Sequence, residues 1–265
     1  MIVLFHNNNW RLRMKKALII AGVVVVCTII GIVGYNLIFD SQGVKPPITV
    51  GGESGDNISG SDGLAAKAKV VPVTVRNKTD NISIENVYPT ITSFKNKEFE
   101  NSINKQIANN ISAYRAEINY MVDDLTPEVK LYKYVTDYDK YTWGDYLTLV
   151  VNQDYQTGGI RSNKWKDIYN INVKTERLVY LDDLFDATTE YEDAIVAEIT
   201  KQADAKGYKL MGGDGITKLP TKQKFYIQDG KLVIYFDPSE IAGATYGELT
   251  FEMPFTMGSD GYFQI

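Results

Sequence analysis

Four side chains suited to binding a ligand lie close together in the sequence, namely Tyr141, Trp143, Arg161 and Trp165. Sugar rings stack on tyrosine and tryptophan, and the same aromatic residues anchor protein–protein interfaces. The guanidinium of Arg161, in a loop with Gly158 and Gly159, is suited to pair with a carboxylate of a partner. These residues are the predicted ligand-binding site. The alternative is that the rings pack one face of a sheet, since strands favour aromatic residues for packing alone.

Three carboxylates, Asp182, Asp183 and Asp186, suggest a different chemistry. Paired carboxylates hydrolyse glycans in many enzymes. A predicted helix follows directly, however, and carboxylates stabilise the positive end of a helix dipole. We favour this structural explanation and predict no catalytic residue.

The composition excludes several other chemistries. The only histidine is His6 and the only cysteine is Cys27, so neither residue type occurs after the apolar run that contains Cys27. A His or Cys metal site, a Ser-His-Asp triad, a Cys-His nucleophile and a disulfide framework are therefore excluded from that part of the chain. We expect no metal and no cofactor.

The elements that position the candidate residues begin after an apolar run. Residues 17–39 are 23 residues without a charge, long enough to cross a hydrocarbon layer of ~30 Å as a helix. Basic residues crowd the N-terminal side of this run, namely Arg11, Arg13, Lys15 and Lys16. The positive-inside rule then predicts a short cytoplasmic N-terminus at 1–16 and an extracytoplasmic C-terminal part.

A cleaved signal peptide is the alternative explanation of this run. The run is longer than a typical signal core, and no small-x-small cleavage site follows it. Cys27 lacks the preceding small residue that lipoprotein processing requires, since Val26 stands there. We therefore predict an uncleaved, single-pass membrane anchor.

The charge balance beyond the anchor is acidic. The four basic residues before the run leave 24 basic against 33 acidic residues after it, a net charge of −9. Binding to nucleic acid requires a basic surface, so a nucleic-acid partner is not expected. A cationic protein partner is compatible with this charge.

The chain divides by composition after the anchor. Residues 40–68 are rich in Gly, Ser, Asp and Pro and are predicted to be a flexible linker. An outer domain follows, whose N-terminal part spans 69–153 and whose C-terminal part spans 154–265. This length is sufficient for a core without disulfides.

Within this domain, two segments have helical periodicity and several alternate as strands do. The first helix is predicted with Asn96 as its cap and an apolar stripe of Phe99, Ile103, Ile107, Ile111, Tyr114, Ile118 and Val122. The second has a stripe of Tyr191, Ile195, Ile199 and Ala203, with Thr188 or Thr189 as its cap.

Alternating segments predict the strands. Pro89 is predicted to mark a strand end or turn, one hairpin is predicted to turn near 140–144, and Asp229-Gly230 predicts the turn of a second hairpin. The expected fold class is α+β, with two helices against a mainly antiparallel sheet.

Several motifs in order resemble one known family: YPTIT, TGGIRSNKW, YNINVKTERLVYLDDLF, FYIQDGKLVIYFDPSEIAGATYGE and a closing MPF. Together they resemble the extracytoplasmic domain of RsiV-like proteins over roughly residues 70–255. That family includes lysozyme-sensing anti-sigma factors, and similar modules accompany PdaC-type peptidoglycan deacetylases. The resemblance implies an α+β domain that binds lysozyme in the sensing members and has no catalysis of its own.

Two features of this chain depart from the family. Gly158-Gly159-Ile160-Arg161 stands where the family loop usually has Gly-Gly-Ala-His, so the role of that histidine is not carried over. Only about 16 residues precede the predicted anchor, which is too short for a sigma-factor-binding domain. A deacetylase catalytic domain is also missing from this sequence.

The expected function is that of a non-enzymatic binding module at the outer face of a bacterial, Gram-positive-type envelope. Its expected partner is cell-wall glycan or a wall-directed protein such as lysozyme. Two alternatives remain at this point: a wall-glycan enzyme that uses carboxylates such as Asp182 and Asp183, and a scaffold or substrate of a membrane protease.

Overall fold

The computed structural model describes residues 63–122, 132–157, 162–211, 216–259 and 261–265. The predicted N-terminus at 1–16, the predicted anchor at 17–39 and most of the predicted linker lie outside these residues. No helix within the described ranges is long and apolar enough to cross a membrane.

The described residues form a mixed α+β fold with two α-helices and mainly antiparallel strands. The helices are α1 (Lys97–Val122) and α2 (Tyr191–Lys206). The strands of the first sheet are β1 (Val70–Lys78), β2 (Ile82–Ile91), β3 (Tyr132–Trp143), β4 (Tyr146–Thr157), β5 (Ser162–Asn172) and β6 (Arg177–Leu178). These six pair in sequence order. Only β2 and β3 are parallel, which requires a crossover connection, and α1 provides it.

The remaining strands form a second sheet and a short ribbon. They are β7 (Lys224–Gln228), β8 (Lys231–Phe236), β9 (Leu249–Glu252), β10 (Thr256–Met257) and β11 (Phe263–Gln264). β7, β8 and β9 form a three-stranded antiparallel sheet, and β10 pairs with β11. The α+β class is confirmed, whereas the strands divide between separate sheets instead of forming the one sheet that we expected.

Each helix buries its predicted apolar stripe in a different core. Ile103, Ile107 and Ile111 of α1 are buried with residues of the six-stranded sheet such as Tyr134 and Leu149. A second core joins the stripe of α2 to the three-stranded sheet, through residues that include Ile195, Ile199, Phe225, Ile234 and Phe251. The helical periodicity therefore predicted the buried faces correctly.

Both predicted hairpins are present. β3 and β4 pair antiparallel up to Trp143 and Tyr146, so the first hairpin turns at residues 144 and 145. In the second hairpin, Asp229 and Gly230 join β7 to β8 with φ angles of 51° and 77°. Such positive angles are the reason that Asp-Gly favours this turn.

Pro89 lies inside β2, so the prediction that it marks a strand end or turn is wrong. It stands opposite Pro72 of β1. Thr92 N donates a hydrogen bond to Lys69 O, so these two residues are a hydrogen-bonded pair of the antiparallel ladder. Hydrogen-bonded pairs alternate with non-hydrogen-bonded pairs along such a ladder, so Pro72 and Pro89 form a non-hydrogen-bonded pair and their nitrogens point away from each other. The parallel pairing with β3 ends at Asn86, so no ladder bond is lost at Pro89.

The structure confirms the predicted cap of α1 but not the predicted cap of α2. Asn96 caps α1, because its Oδ1 accepts a hydrogen bond from Phe99 N at 3.0 Å. The prediction of Thr188 or Thr189 as the cap of α2 is wrong: Glu190 precedes that helix and makes no side-chain capping bond. The Thr188 hydroxyl instead donates to Asp186 Oδ1 at 2.5 Å, within the preceding turn.

The last residues of the predicted linker are ordered. Leu64–Lys67 form a 3-10 turn, and Ala65 and Ala68 are buried in the core under α1. Ala65 N donates a hydrogen bond to Gly144 O in the β3–β4 turn, at 3.1 Å. The ordered domain therefore begins several residues before 69.

Candidate functional site

Tyr141 and Trp143 lie two residues apart on β3 and so share one face of the six-stranded sheet. The Tyr141 ring stacks on Tyr226 of β7, with 5.5 Å between the ring centroids and 15° between the planes. The Trp143 ring lies against the turn between β7 and β8, where a Cβ added to Gly230 would come within 2.7 Å of its Cζ2. The two rings therefore fix the three-stranded sheet against β3.

Trp165 lies on the opposite face. It pairs with Gln153 of β4, which in turn pairs with Thr136 of β3, five residues before Tyr141. Directly paired residues share a face of the sheet, so Trp165 lies on the same face as Thr136. Side chains alternate between the two faces along a strand, so Tyr141, five residues after Thr136, lies on the opposite face from Trp165. Trp165 accordingly contacts Tyr114 of α1, with 4.7 Å between the centroids.

The predicted four-residue site is thus brought together only in part. Tyr141 and Trp143 lie side by side, Trp165 faces α1, and Arg161 lies outside the described residues.

Carboxylates surround the stacked tyrosines. Burial raises the pKa of Tyr141 to about 12, and the negative charges of Asp139 and Asp229 add to this shift. Burial also raises the pKa of Tyr226, again with Asp139 as the largest charged contributor. We call the surface formed by Asp137, Asp139, Tyr141, Tyr226 and Asp229 the acidic aromatic face.

Its carboxylates lack positive partners among the described residues. Asn152 Nδ2 donates to Asp137 Oδ1 at 2.7 Å and to Asp139 Oδ2 at 3.0 Å, and Asp229 lies exposed at the hairpin turn. No ion pair joins these three carboxylates to a basic residue in the described part of the chain. Within the described residues, the acidic aromatic face therefore carries negative charge that no ion pair compensates.

A buried polar network lies on the other face, beneath α1. Tyr134 donates from its hydroxyl to Gln153 Oε1 at 2.5 Å, and Gln153 Nε2 donates to Asp167 Oδ2 at 2.5 Å. Asn110 of α1 hydrogen-bonds Asp167 and also donates to the Tyr169 hydroxyl at 2.9 Å. Burial raises the pKa of Asp167 to about 6, although these hydrogen bonds and Lys224 oppose the shift.

Trp165 borders this network without joining it. Its Nε1 is buried and has no hydrogen-bond partner among the described residues. An unpaired buried donor costs stability. The network thus joins α1 to the sheet through polar contacts, whereas Trp165 contributes only the packing of its ring.

The carboxylates considered for catalysis hold local turns. Asp183 Oδ2 accepts a hydrogen bond from Tyr180 N at 2.9 Å, and Asp186 Oδ1 accepts one from Thr188 N at 3.0 Å. Asp182 is exposed in a 3-10 turn, and α2 begins only at Tyr191. These carboxylates were expected to stabilise the dipole of α2, but in the structure Asp183 and Asp186 accept backbone hydrogen bonds in the turns before that helix. Among the described residues, no group of three His, Cys, Asp or Glu could hold a metal ion.

Sequence reasoning missed Tyr226, Asp139, Asp229 and the network around Asp167. For Asp139 a signal was present, because Asp137, Asp139, Tyr141 and Trp143 alternate along one predicted strand and must share a face. Tyr226 had no such signal, since its place beside Tyr141 depends on how the second sheet packs.

Comparisons with known proteins find a match to a family model over part of the chain. Residues 182–256 match the model of the family described as "Protein of unknown function (DUF3298)". No curated protein matches the chain. A solved DUF3298 protein from Bacteroides fragilis is similar, with 12% identity, a TM-score of 0.52, and coverage of 71% of this chain and 90% of that chain.

A second solved DUF3298 protein, from Pseudomonas aeruginosa, has 13% identity and a TM-score of 0.49, with 72% of this chain and 93% of that chain covered. At such identities, the likeness to the Bacteroides fragilis protein shows a shared fold and nothing about a ligand. Residues 182–256 therefore match the DUF3298 model, and the chain shares its fold with a solved DUF3298 protein.

Proposed function

We propose that the chain is a non-enzymatic binding module of the RsiV-like kind, anchored by residues 17–39 at the outer face of a bacterial cell membrane. The apolar run with its basic N-terminal flank supports the anchor and the orientation. The ordered motifs support the RsiV-like assignment, and the DUF3298 match and shared fold are compatible with it.

The proposed ligand is a cationic, wall-directed protein such as lysozyme, and the acidic aromatic face carries this proposal. Tyr141 and Tyr226 stack on each other and Gly230 lies against Trp143, so the protein itself already occupies one face of each ring. Uncompensated carboxylates beside tyrosines instead suit lysine and arginine side chains of a partner.

The test is calorimetric titration of the full chain, in lipid nanodiscs, with purified lysozyme. The variant carries Asp137→Asn, Asp139→Asn and Asp229→Asn, which keep the shape and remove three charges. We expect binding to weaken at least about tenfold, because charge complementarity at the face is lost. Lysozyme binding that is absent from the wild type, or unchanged in the variant, would contradict the proposal.

A matched control removes the same charge elsewhere. Asp80, Asp193 and Asp204 are exposed and lie outside the acidic aromatic face. Their replacement by asparagine leaves the net charge equal to that of the test variant, so binding should be retained. Equal weakening in both variants would show that lysozyme responds to net charge alone and not to this face.

Catalysis is tested in the same preparation. Purified cell wall is incubated with the chain, and reducing sugar ends are measured. We expect none above background, because no glycan-hydrolase motif accompanies Asp182 and Asp183 in the sequence. Release of sugar ends that is lost in Asp182→Asn would replace binding by glycan hydrolysis as the function.

A further inference from the structure

Three segments of the chain meet at a surface that shares no residue with the acidic aromatic face. Tyr180 follows β6, Tyr146 begins β4, and Tyr262 precedes β11. The Tyr146 hydroxyl donates to Gly261 O at 3.2 Å, which ties the start of β4 to the C-terminal ribbon. Tyr180 is 59% exposed and Tyr262 is 38% exposed.

Two charged residues lie among these tyrosines. Arg177 Nη2 is 3.7 Å from Asp183 Oδ1, and Asp183 Oδ2 accepts the hydrogen bond from Tyr180 N. Tyr146 of β4 pairs with Asn172 of β5, and Asn172 pairs with Arg177 of β6, so Tyr146 and Arg177 lie on the same face of the sheet, two strands apart. Burial raises the pKa of Tyr146, the negative charges of Asp145 and Asp183 raise it further, and Arg177 lowers it. We call Tyr146, Arg177, Tyr180, Asp183 and Tyr262 the tyrosine surface.

The backbone fixes the most exposed of these rings. Asp183 holds the amide of Tyr180 in place, and the next residue, Leu181, is buried in the core with Leu184. The Tyr180 side chain is therefore presented outward from an ordered turn. Ordering a ring before a ligand arrives lowers the entropic cost of binding.

We infer that the tyrosine surface binds an uncharged oligosaccharide of pyranose sugars. An exposed tyrosine ring offers an apolar face to the C–H side of a pyranose. The adjacent guanidinium and carboxylate donate to and accept from neighbouring hydroxyls, which is how a few placed polar groups fix a ligand's orientation. The inference rests on the proposed function only for the location at the outer face of the membrane, where cell-wall glycan is the source of such sugars.

The charges distinguish this surface from the acidic aromatic face. Arg177 is 63% exposed at its side chain and lies 3.7 Å from Asp183, so this surface offers a cation beside a carboxylate, and Asp145 adds a negative charge near Tyr146. The guanidinium repels a cationic ligand, which the carboxylates of the acidic aromatic face do not. A carboxylate-bearing peptide has to compete with Asp183 for the guanidinium, whereas a neutral sugar uses both groups without displacing either.

The test is a calorimetric titration of the full chain, in lipid nanodiscs, with a hexamer of N-acetylglucosamine. Tyr180→Ala removes the ring and is expected to weaken binding at least about tenfold, whereas Tyr180→Phe keeps the ring and is expected to stay within about threefold of wild type. Arg177→Gln, which keeps hydrogen-bond donors and removes the charge, is expected to weaken binding less than Tyr180→Ala.

Met211→Ala is the matched control, because Met211 is 49% exposed and lies in a different loop. Its hexamer affinity is expected to equal that of wild type. A wild-type chain that does not bind the hexamer, or a Tyr180→Ala variant that binds it normally, would overturn the inference. Lysozyme binding is measured on the same variants in separate titrations, so failure of this inference is distinguishable from failure of the proposed function.

Discussion

Among the described Asp and Glu residues, Asp167 is the one whose pKa is raised by folding. Its carboxylate faces Asn110 and Tyr114 of α1 and Gln153 of β4, with Lys224 and Asp237 contributing charge from the second sheet. Burial raises its pKa to about 6, above the value of ~3.9 for an unfolded chain. At pH values between these two pKa values, Asp167 is therefore still protonated in the folded state and already ionised in the unfolded state.

The sign of the pH dependence follows from this difference. Where the folded state binds more protons, stability falls as pH rises. We predict that the free energy of unfolding decreases by about 2–3 kcal/mol from pH ~4 to ~6 through this group, with no further change from it above. Urea unfolding of Asp167→Asn should lack this decrease. Exposed Asp182→Asn is the control, and a wild-type curve without the decrease would contradict the assignment.

Gly230 is predicted to be required for both its backbone angle and its lack of a side chain. Its φ is 77°, and an added Cβ would lie 2.7 Å from the Trp143 ring. Gly207 has a similar φ of 71° with nothing near its Cβ position. We expect Gly207→Ala to cost about 1 kcal/mol, from the angle alone. Gly230→Ala should cost at least about 1 kcal/mol more.

Thermal unfolding with van't Hoff analysis of both variants measures this difference. Near-ultraviolet circular dichroism of Trp143 gives an independent readout of ring displacement in Gly230→Ala. Equal destabilisation by the two substitutions would show that the ring moves aside without cost, and would contradict the close packing of Trp143 against the turn.

Among the elements, α1 depends on a contact from a distant turn. Glu176 lies in the turn between β5 and β6, and its carboxylate accepts hydrogen bonds from Lys95 N at 2.8 Å and Asn96 N at 2.6 Å. These backbone bonds lower the pKa of Glu176. Its contribution to stability is thus present above its ordinary pKa and is lost as pH falls through the lowered value.

We predict that Glu176→Ala frees the start of α1, since two amides lose their acceptor. Hydrogen exchange at residues 95–100 should quicken, while exchange in the middle of α2 should not change. Glu176→Gln, which keeps one acceptor oxygen, should give an intermediate effect. Unchanged exchange at the start of α1 in Glu176→Ala would show that the Asn96 cap suffices by itself.

The elements also show what sequence can and cannot predict. Local patterns identified both helices, the Asn96 cap and the Asp229-Gly230 turn, because each depends on residues within a few positions. The strand that contains Pro89 and the division into two sheets depend on which strands become partners, and alternation along one strand does not encode its partner. For the same reason, the sequence did not show that Trp165 and Tyr141 lie on opposite faces of the sheet, or that Tyr226 stacks on Tyr141.

At the scale of the whole molecule, the two proposed surfaces should respond differently to salt. Screening lengths shorten from ~10 Å at 0.1 M to ~3 Å at 1 M, which weakens attraction between exposed charges. The excess of acidic residues and the uncompensated Asp137, Asp139 and Asp229 make lysozyme binding depend on such attraction. The tyrosine surface has a paired Arg177 and Asp183 and a neutral proposed ligand.

We therefore predict that raising salt from 0.05 M to 0.5 M slows lysozyme association at least about tenfold, with a smaller change in dissociation. The affinity for the N-acetylglucosamine hexamer should change by less than about twofold over the same range. Stopped-flow fluorescence measures the first and calorimetry the second. Salt-independent lysozyme association would remove the acidic aromatic face as the site of encounter, whereas salt-sensitive hexamer binding would show that charge, and not ring stacking, dominates at the tyrosine surface.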